Sequence, residues 1–337
     1  MKIVENTLSL IGNTPLIKLR KIARNLDANI FVKCEFLNPS GSIKDRVAFR
    51  MIRDAENSGK IKRDTIIVEA TSGNMGPALA FVSAVKGYRI KLYIPPSWTG
   101  TYNPENRIKL MKIFGAEVET INLDKYRDII KDLSNQQYVA AVFGLAMKIC
   151  YDLESGEKNY WWTDQMSNPS NTLAHKEGTG GEIIEQLNGE VDAFVASIGS
   201  GGTLLGVSEA LREKSIDAKI IGVEPTDAKV LEEWAETRFL SRFLEGLGMP
   251  KRRYIIEEIV DRGLPDEIIH VNHEEARHTA NLLCREEGIF CGISSGANVY
   301  AALKIAKTLG KGANIVTVCV DRRDRYLPEY PNETYVI

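Results

Sequence analysis

Asn38-Pro39-Ser40-Gly41-Ser42-Ile43-Lys44-Asp45-Arg46 stands between two patterned segments. The apolar run Ile30-Phe31-Val32-Lys33-Cys34 precedes it, and Val47, Met51, Ile52 and Ala55 follow at three-to-four spacing. A strand therefore leads in and a helix leads out. Pro39, Ser40 and Gly41 mark a turn, and Ser42 is placed to cap the helix. Lys44 falls in the first helical turn, where the backbone dipole favours anions over an ammonium. Such a lysine is either a solvated surface residue or an amine tuned for nucleophilic or Schiff-base chemistry.

Outward from this segment the chain alternates strands and helices. Gly12-Asn13-Thr14-Pro15-Leu16 is turn chemistry with a short extended piece. Residues 65–69 read as a buried strand, 70–76 as a small polar loop punctuated by glycine, and 77–85 as a helix. Strands at 90–94 and 118–121 flank a helix at 105–114, and 126–133 and 139–150 read as helical. After a polar loop at 154–159, a second series follows. It has strands at 193–197, 220–223 and 315–318, and helices ending near 212 and spanning 274–286 and 297–308. This alternation specifies βαβ units and a mostly parallel sheet. There is no internal repeat and no low-complexity segment.

The bulk properties exclude several classes. Apolar residues make up 44% and charged residues 26% of the 337, with a net charge of −2 and no long run of one sign. That balance argues against a nucleic-acid binder, which would show a basic face, and leaves open only a local basic patch. The cysteines (34, 150, 284, 291 and 319) number five, are scattered, and mostly sit in apolar runs. They read as reduced thiols of a cytoplasmic protein, without a disulfide frame or metal spacing. No apolar run is long enough to cross a bilayer, and Met1–Asn6 is not a signal peptide.

Gly199-Ser200-Gly201-Gly202-Thr203 lies between a strand and a helix. Its backbone N–H groups and the positive helix end make a phosphate cradle; the plainer alternative is a tight turn needing positive φ. A dinucleotide fingerprint fails because Leu204 stands where the third glycine belongs, although Glu224 ends the next strand. No Gly-Lys-Ser/Thr is present, which excludes a P-loop. Gly292-Ile293-Ser294-Ser295-Gly296 matches a nucleophile elbow. A hydrolase of that fold needs its histidine after the serine, whereas His175, His270, His273 and His278 all precede Ser294. The plain alternative for Ser294 is the N-cap of the following helix. His273 and His278 fall on a charged, solvated helix. A reactive lysine, a phosphate cradle and a polar Gly/Ser/Asn loop converge on pyridoxal 5'-phosphate.

With these motifs in this order, from Gly12-Asn13-Thr14-Pro15-Leu16 to Asp321, the chain resembles the cysteine synthase and cystathionine β-synthase family of fold-type II pyridoxal-phosphate enzymes. The resemblance implies an α/β fold, tryptophan synthase β-like, of two domains, each with a mostly parallel sheet flanked by helices and the cofactor in the cleft. The smaller domain is expected over 45–160 and the larger over 1–44 plus 161–337. By the same resemblance Lys44 is the Schiff-base residue, and Asn74 bonds the cofactor's ring oxygen. Gly199, Ser200, Gly201, Gly202 and Thr203 hold the phosphate, and Ser294 faces the pyridine nitrogen. Thr71, Ser72, Gly73 and Met75 hold the substrate carboxylate, with Gln165 beside it. No metal is implied; a homodimer is.

The implied reaction is β-replacement on O-acetylserine or O-phosphoserine, with sulfide giving L-cysteine through an α-aminoacrylate. A neutral serine at the ring nitrogen makes a milder electron sink than an aspartate, which favours β-elimination, and Lys44 is the general base. The alternatives are serine use of the cystathionine β-synthase kind, a relative that consumes cysteine and releases hydrogen sulfide, a specialised β-replacement with another nucleophile or leaving group, deamination of the aminoacrylate, or a non-catalytic protein that binds the cofactor or a partner. Several positions depart from the family pattern. Met75 replaces a threonine, 97–104 replaces a plainer segment, and 124–160 is longer. Glu245-Gly246-Leu247-Gly248 with Asp321 leans toward the cystathionine β-synthase branch. Lys251-Arg252-Arg253 reads either as a site for an anionic substrate or as a solvated run, and Asp227 as a pocket acid or a helix cap.

Overall fold

The computed structural model describes residues 3–96 and 105–329. The 97–104 segment and the C-terminal Tyr335-Val336-Ile337 lie outside the described residues.

Runs of Val, Ile, Leu and Ala without polar alternation make strands buried on both faces, the condition for a parallel sheet covered by helices. Ten strands among the described residues meet that description to different degrees: β1 (Leu16–Lys18), β2 (Asn29–Cys34), β3 (Ile66–Ala70), β4 (Arg89–Ile94), β5 (Glu117–Thr120), β6 (Tyr160–Trp162), β7 (Ala193–Ser197), β8 (Lys219–Pro225), β9 (Glu267–Val271) and β10 (Asn314–Cys319). They form a six-stranded sheet of order β1-β2-β10-β7-β8-β9 and a four-stranded sheet of order β5-β4-β3-β6. Every pairing is parallel except β1 with β2 at the edge. This is the α/β, two-sheet architecture the sequence predicts.

Two compact units carry these sheets. The first comprises Met1–Asp54, Gln165–Arg238 and Arg252–Arg322, and the second Ala55–Asp164, Phe239–Lys251 and Arg323–Ile337. The first boundary falls inside α1 (Lys44–Asn57), between Asp54 and Ala55. The second unit also takes two short later segments, which the alternation of strands and helices does not foreshadow.

The core of the first unit collects Ile30, Val32, Val195, Ile221 and Ile315 from one face of the larger sheet, with Val299 and Ile305 of the helix Ile293–Leu309 packed on it. Around Lys44 the packing is polar. Arg46 is 6% exposed and forks onto Glu35, with Nε to Oε2 and Nη2 to Oε1 both at 2.8 Å. It also donates to Glu182 through Nη1 (2.6 Å) and Nη2 (2.7 Å). Lys33, fully buried, donates to Glu182 at 2.7 Å and to the Thr14 carbonyl oxygen. Two cations thus face two anions beneath the start of α1. Val47, Ala48, Met51, Ile52 and Ala55 form the buried stripe of that helix.

In the second unit α2 (Met75–Lys86) follows β3, and α3 (Glu105–Ile113) packs against it. The helix expected over 139–150 is longer, running from Asn135 to Gly156, with a capping box at Ser134 and Gln137. Its last turn takes in residues expected as loop. Among the described residues no helix is long and apolar enough to cross a membrane.

Candidate active site

Ligands of open α/β sheets bind beyond the carboxyl ends of the strands, and there the chain concentrates its loops. In the first unit the turn after β2 leads to Lys44, the turn after β7 is Gly199–Thr203, and the exit of β10 is Val320-Asp321. Ile43 N–H donates to the Val320 carbonyl at 2.9 Å, and Gly292 N–H donates to that of Asp321 at 2.9 Å. These two bonds gather the Lys44 turn and the Ser294 turn onto the end of β10. Asp45 holds the turn before the helix through the Ser40 N–H at 2.6 Å, and Ser42 Oγ accepts from Lys44 N–H at 3.4 Å.

A cavity of about 170 Å³ opens among these turns. Lys44, Gly199, Ser200, Gly201, Gly202, Thr203 and Ser294 all line it, together with Asn298, Ile43, Val318 and Val320. Lys44 Nζ lies 3.3 Å from Ser200 Oγ, which also accepts from Asn171 Nδ2 at 2.9 Å. Gly201 has φ +86° and begins the helix Gly202–Glu213. That turn leaves the first backbone N–H groups of a three-turn helix without intrahelical partners, a ready anion site. Asn171 is the reason Gly202 is a glycine. Its Oδ1 stands 2.2 Å from where a Cβ would be, and Nδ2 is tied to Ser200 and to the Gln165 carbonyl at 2.7 Å. Gly202→Ala is therefore expected to displace Asn171 and weaken cofactor affinity about tenfold or more, with about 1–3 kcal/mol of stability lost to overpacking. Titration of the cofactor-free protein with pyridoxal phosphate tests this, and wild-type affinity would refute it.

Thr203 has a second partner that the sequence does not announce. His175, fully buried in a π-helical stretch (Ala174–Gly180), places Nε2 3.3 Å from Thr203 Oγ1 and Nδ1 3.1 Å from Thr179 Oγ1. Burial, and then the charges of Lys44 and Arg46, push this imidazole well below its usual range, so it is neutral. One ring nitrogen then donates while the other accepts, and the Thr203 hydroxyl rotor is set by the tautomer. π-Turns recur at functional sites, but no residue pattern in 174–180 marks one.

The adjacent serines divide their work. The helix begins at Ile293 with Gly292 as its cap, so Ser294 is not an N-cap but lies in the first turn and faces the cavity. Ser295 is buried and accepts from the Val320 N–H at 2.9 Å. Gln165 is 8% exposed and is not among the described residues lining this cavity.

The second unit holds the other loop. Thr71, 2% exposed, follows β3, and its Oγ1 accepts from Gly73 N–H at 3.2 Å. Ser72, Gly73 and Asn74 are part-exposed, and nothing stands within 4 Å of where a Cβ on Gly73 would be. Asn74 occupies the N-cap position of α2 without making a side-chain cap bond. Met75 is 1% exposed, so the thioether that replaces a hydroxyl is packed inside and only its backbone N–H is at the loop. Glu245 and Gly246 close the helix Phe239–Gly246, a helical end rather than the loop expected there, and Gly248 follows at φ +82°.

A lysine amine at the mouth of a glycine-built anion cradle, with a neutral hydroxyl across the cavity, defines an enzyme of the lysine-bound, phosphorylated-aldehyde class. The cradle, the amine and the space fit that group. The chain belongs to the pyridoxal-phosphate dependent enzyme family, whose profile matches residues 7–321. It is 37% identical over 327 residues to a cysteine synthase of Staphylococcus aureus, covering 97% of this chain and 96% of that protein. It is 33% identical over 336 residues to a cystathionine beta-synthase of Dictyostelium discoideum, covering 99% of this chain and spanning 63% of that longer protein. Among solved structures, a hydrogen sulfide-producing enzyme from Fusobacterium nucleatum matches with a TM-score of 0.79 at 32% identity, covering 96% of this chain and all of that one. The protein is thus a pyridoxal-phosphate dependent enzyme of fold type II.

Proposed function

We propose that this enzyme catalyses β-replacement on an activated L-serine, O-acetyl-L-serine or O-phospho-L-serine, with sulfide as nucleophile and L-cysteine as product. The observation that carries this reading is the shared cavity of Lys44 and Ser294. No acidic side chain is among the described residues that line it. A neutral partner moderates electron withdrawal, which suits loss of a β-substituent better than transamination. When bound, the cofactor supplies the electron sink that acidifies the substrate Cα–H. Lys44 Nζ takes that proton as general base and returns it at the end of the cycle. Gly199–Thr203 and the Gly202 helix end hold the phosphate, with His175 orienting the Thr203 hydroxyl. Thr71, Ser72, Gly73 and the Met75 N–H hold the carboxylate at the start of α2, with Gln165 assisting, and Asn74 would bond the cofactor's ring oxygen.

The cysteine synthase relative supports sulfide as nucleophile. The structural match to a hydrogen sulfide-producing enzyme supports a second reading, in which the same residues consume cysteine and release sulfide. Absorbance titration of the reconstituted protein separates the two. O-Acetylserine, O-phosphoserine, serine and cysteine are added in turn, and sulfide is assayed in parallel. A spectral change with an O-substituted serine that reverses on adding sulfide is the expected result. Change and sulfide release with cysteine alone would favour the second reading, and no change with any donor would sink both. A homodimer and a cytoplasmic location belong to the same proposal, and light scattering tests the first.

A further inference from the structure

We infer that Asn171 is a positioning residue for the anion cradle, fixing which way the Ser200 hydroxyl points its proton. Nothing in the sequence marks it, for it sits in a short polar helix, Pro169–Leu173. It is completely buried and is not among the described residues that line the cavity. Its Nδ2 donates to the Gln165 carbonyl at 2.7 Å and to Ser200 Oγ at 2.9 Å. A carbonyl can only accept, so the atom facing Gln165 is the amide nitrogen, and a flipped amide would set two oxygens against each other. Oδ1 is turned to Gly202 and has no hydrogen-bond partner among the described residues. A buried acceptor left unpaired is unfavourable, and here it accompanies the use of both amide N–H groups on Gln165 and Ser200.

A serine hydroxyl has two lone pairs and one proton. Asn171 Nδ2 takes one lone pair, and Lys44 Nζ, at 3.3 Å, is the donor to the other. The Ser200 side chain makes no further hydrogen bond among the described residues. Its proton is therefore the part of the hydroxyl left for a ligand, and Ser200 lines the cavity beside the Gly201 turn. An anion held there meets a hydroxyl donor next to the N–H groups that begin the Gly202 helix, and such charge-assisted bonds are the strong ones. Asn171 keeps this polarity even when the lysine amine is engaged elsewhere, because a donor still covers the buried side of Ser200 Oγ. Without that donor the hydroxyl is free to turn its proton inward and present a lone pair, which repels the same anion.

The role of Asn171 rests on the proposed phosphate role of Gly199–Thr203, and the test separates the two. Pyridoxal phosphate and pyridoxal are each titrated into the cofactor-free protein, and the ratio of the two affinities isolates the phosphate. Ser200→Ala is expected to lower that ratio about tenfold, the scale of one hydrogen bond to a charged group. Asn171→Asp keeps the shape against Gly202 but has at most one proton where Nδ2 stood, and the Gln165 carbonyl takes it. Ser200 must then donate to the aspartate, ionised or not, and turn its lone pairs to the cavity. The ratio should fall about a hundredfold, one bond lost and a repulsion added. In the Ser200→Ala background the same substitution should cost less than about threefold, because the hydroxyl it acts through is gone. An equal loss in both backgrounds, or an unchanged ratio in Asn171→Asp beside a loss in Ser200→Ala, would overturn the role of Asn171 and leave the cradle standing. An unchanged ratio in both single variants would overturn the cradle reading with it. If Asn171→Asp does not fold, Asn171→Ala replaces it. It leaves the hydroxyl unfixed, so the ratio should fall severalfold with Ser200 present and hold steady in Ser200→Ala, and equal losses in the two would refute the role.

Discussion

Lys44→Ala should lose at least about a thousandfold in turnover, the range expected when a general base is removed, while the protein still folds. The half-buried amine sits at the mouth of the anion cradle, 3.3 Å from Ser200 Oγ. Truncation removes the group that moves the proton and leaves the cradle, Ser294 and the underlying ion network in place. The buried stripe of α1 lies on other residues, so the melting temperature of the cofactor-free variant should stay within about 3 °C of wild type. Two measurements check this: steady-state turnover, and rescue by a small primary amine added to the variant. Turnover within tenfold of wild type would remove Lys44 from the chemistry altogether.

Arg46→Met should cost the fold about 3–5 kcal/mol, the loss typical when one partner of a buried ion pair is deleted. Arg46 is the cation that both Glu35 and Glu182 share, and Glu35 is fully buried. Burial works against the arginine's charge, but Glu35 and then Glu182 hold its affinity for the proton above the ordinary value. Without it Glu182 keeps only Lys33 as a cation among the described residues, whose own charge burial disfavours, and Glu35 loses its ion pair and keeps the hydrogen bonds from Thr14 Oγ1 and Asn38 Nδ2. Urea unfolding measures the loss, and a change below about 1 kcal/mol would show that the network contributes little. The same network predicts the acid limit. Burial opposes ionisation of Glu182, yet the Arg46 and Lys33 bonds and the Asn13 N–H hold it at about 2, against an ordinary value of 4.5. Its contribution is therefore complete above pH 4.5 and is lost as pH falls toward 2. In Arg46→Met that acid limb should move to higher pH.

The parts of the site legible in the sequence were those whose chemistry is local. A strand, a turn and a helix can be read around Lys44 because β2 is apolar, Gly41 and Pro39 break the chain, and Val47 to Ala55 keep a helical period. The cradle was legible because three glycines within Gly199–Gly202 have few other uses. The missed residues act through partners distant in sequence. Asn171 matters because it fills the space of the absent Gly202 side chain, and His175 because a π-turn aims it at Thr203. β6 and β9 were missed for a different reason. Tyr160–Trp162 has three residues after a polar loop, and Glu267–Val271 has a histidine and a glutamate inside an edge strand. Neither presents the continuous apolar run that marks β7 or β10.

β10 comes after every other described strand in the chain and yet lies between β2 and β7 in the larger sheet. During synthesis, β1 and β2 on one side and β7, β8 and β9 on the other emerge well before the strand that joins them. Until residues 314–319 leave the ribosome, these two fragments hold open edges and exposed apolar faces, a state prone to misassembly. The enzyme thus depends on a late-made segment to complete its early-made half, and a nascent chain stalled before Asn314 is a natural client for chaperones. A stop codon just ahead of β10 should yield aggregate rather than a smaller, working unit.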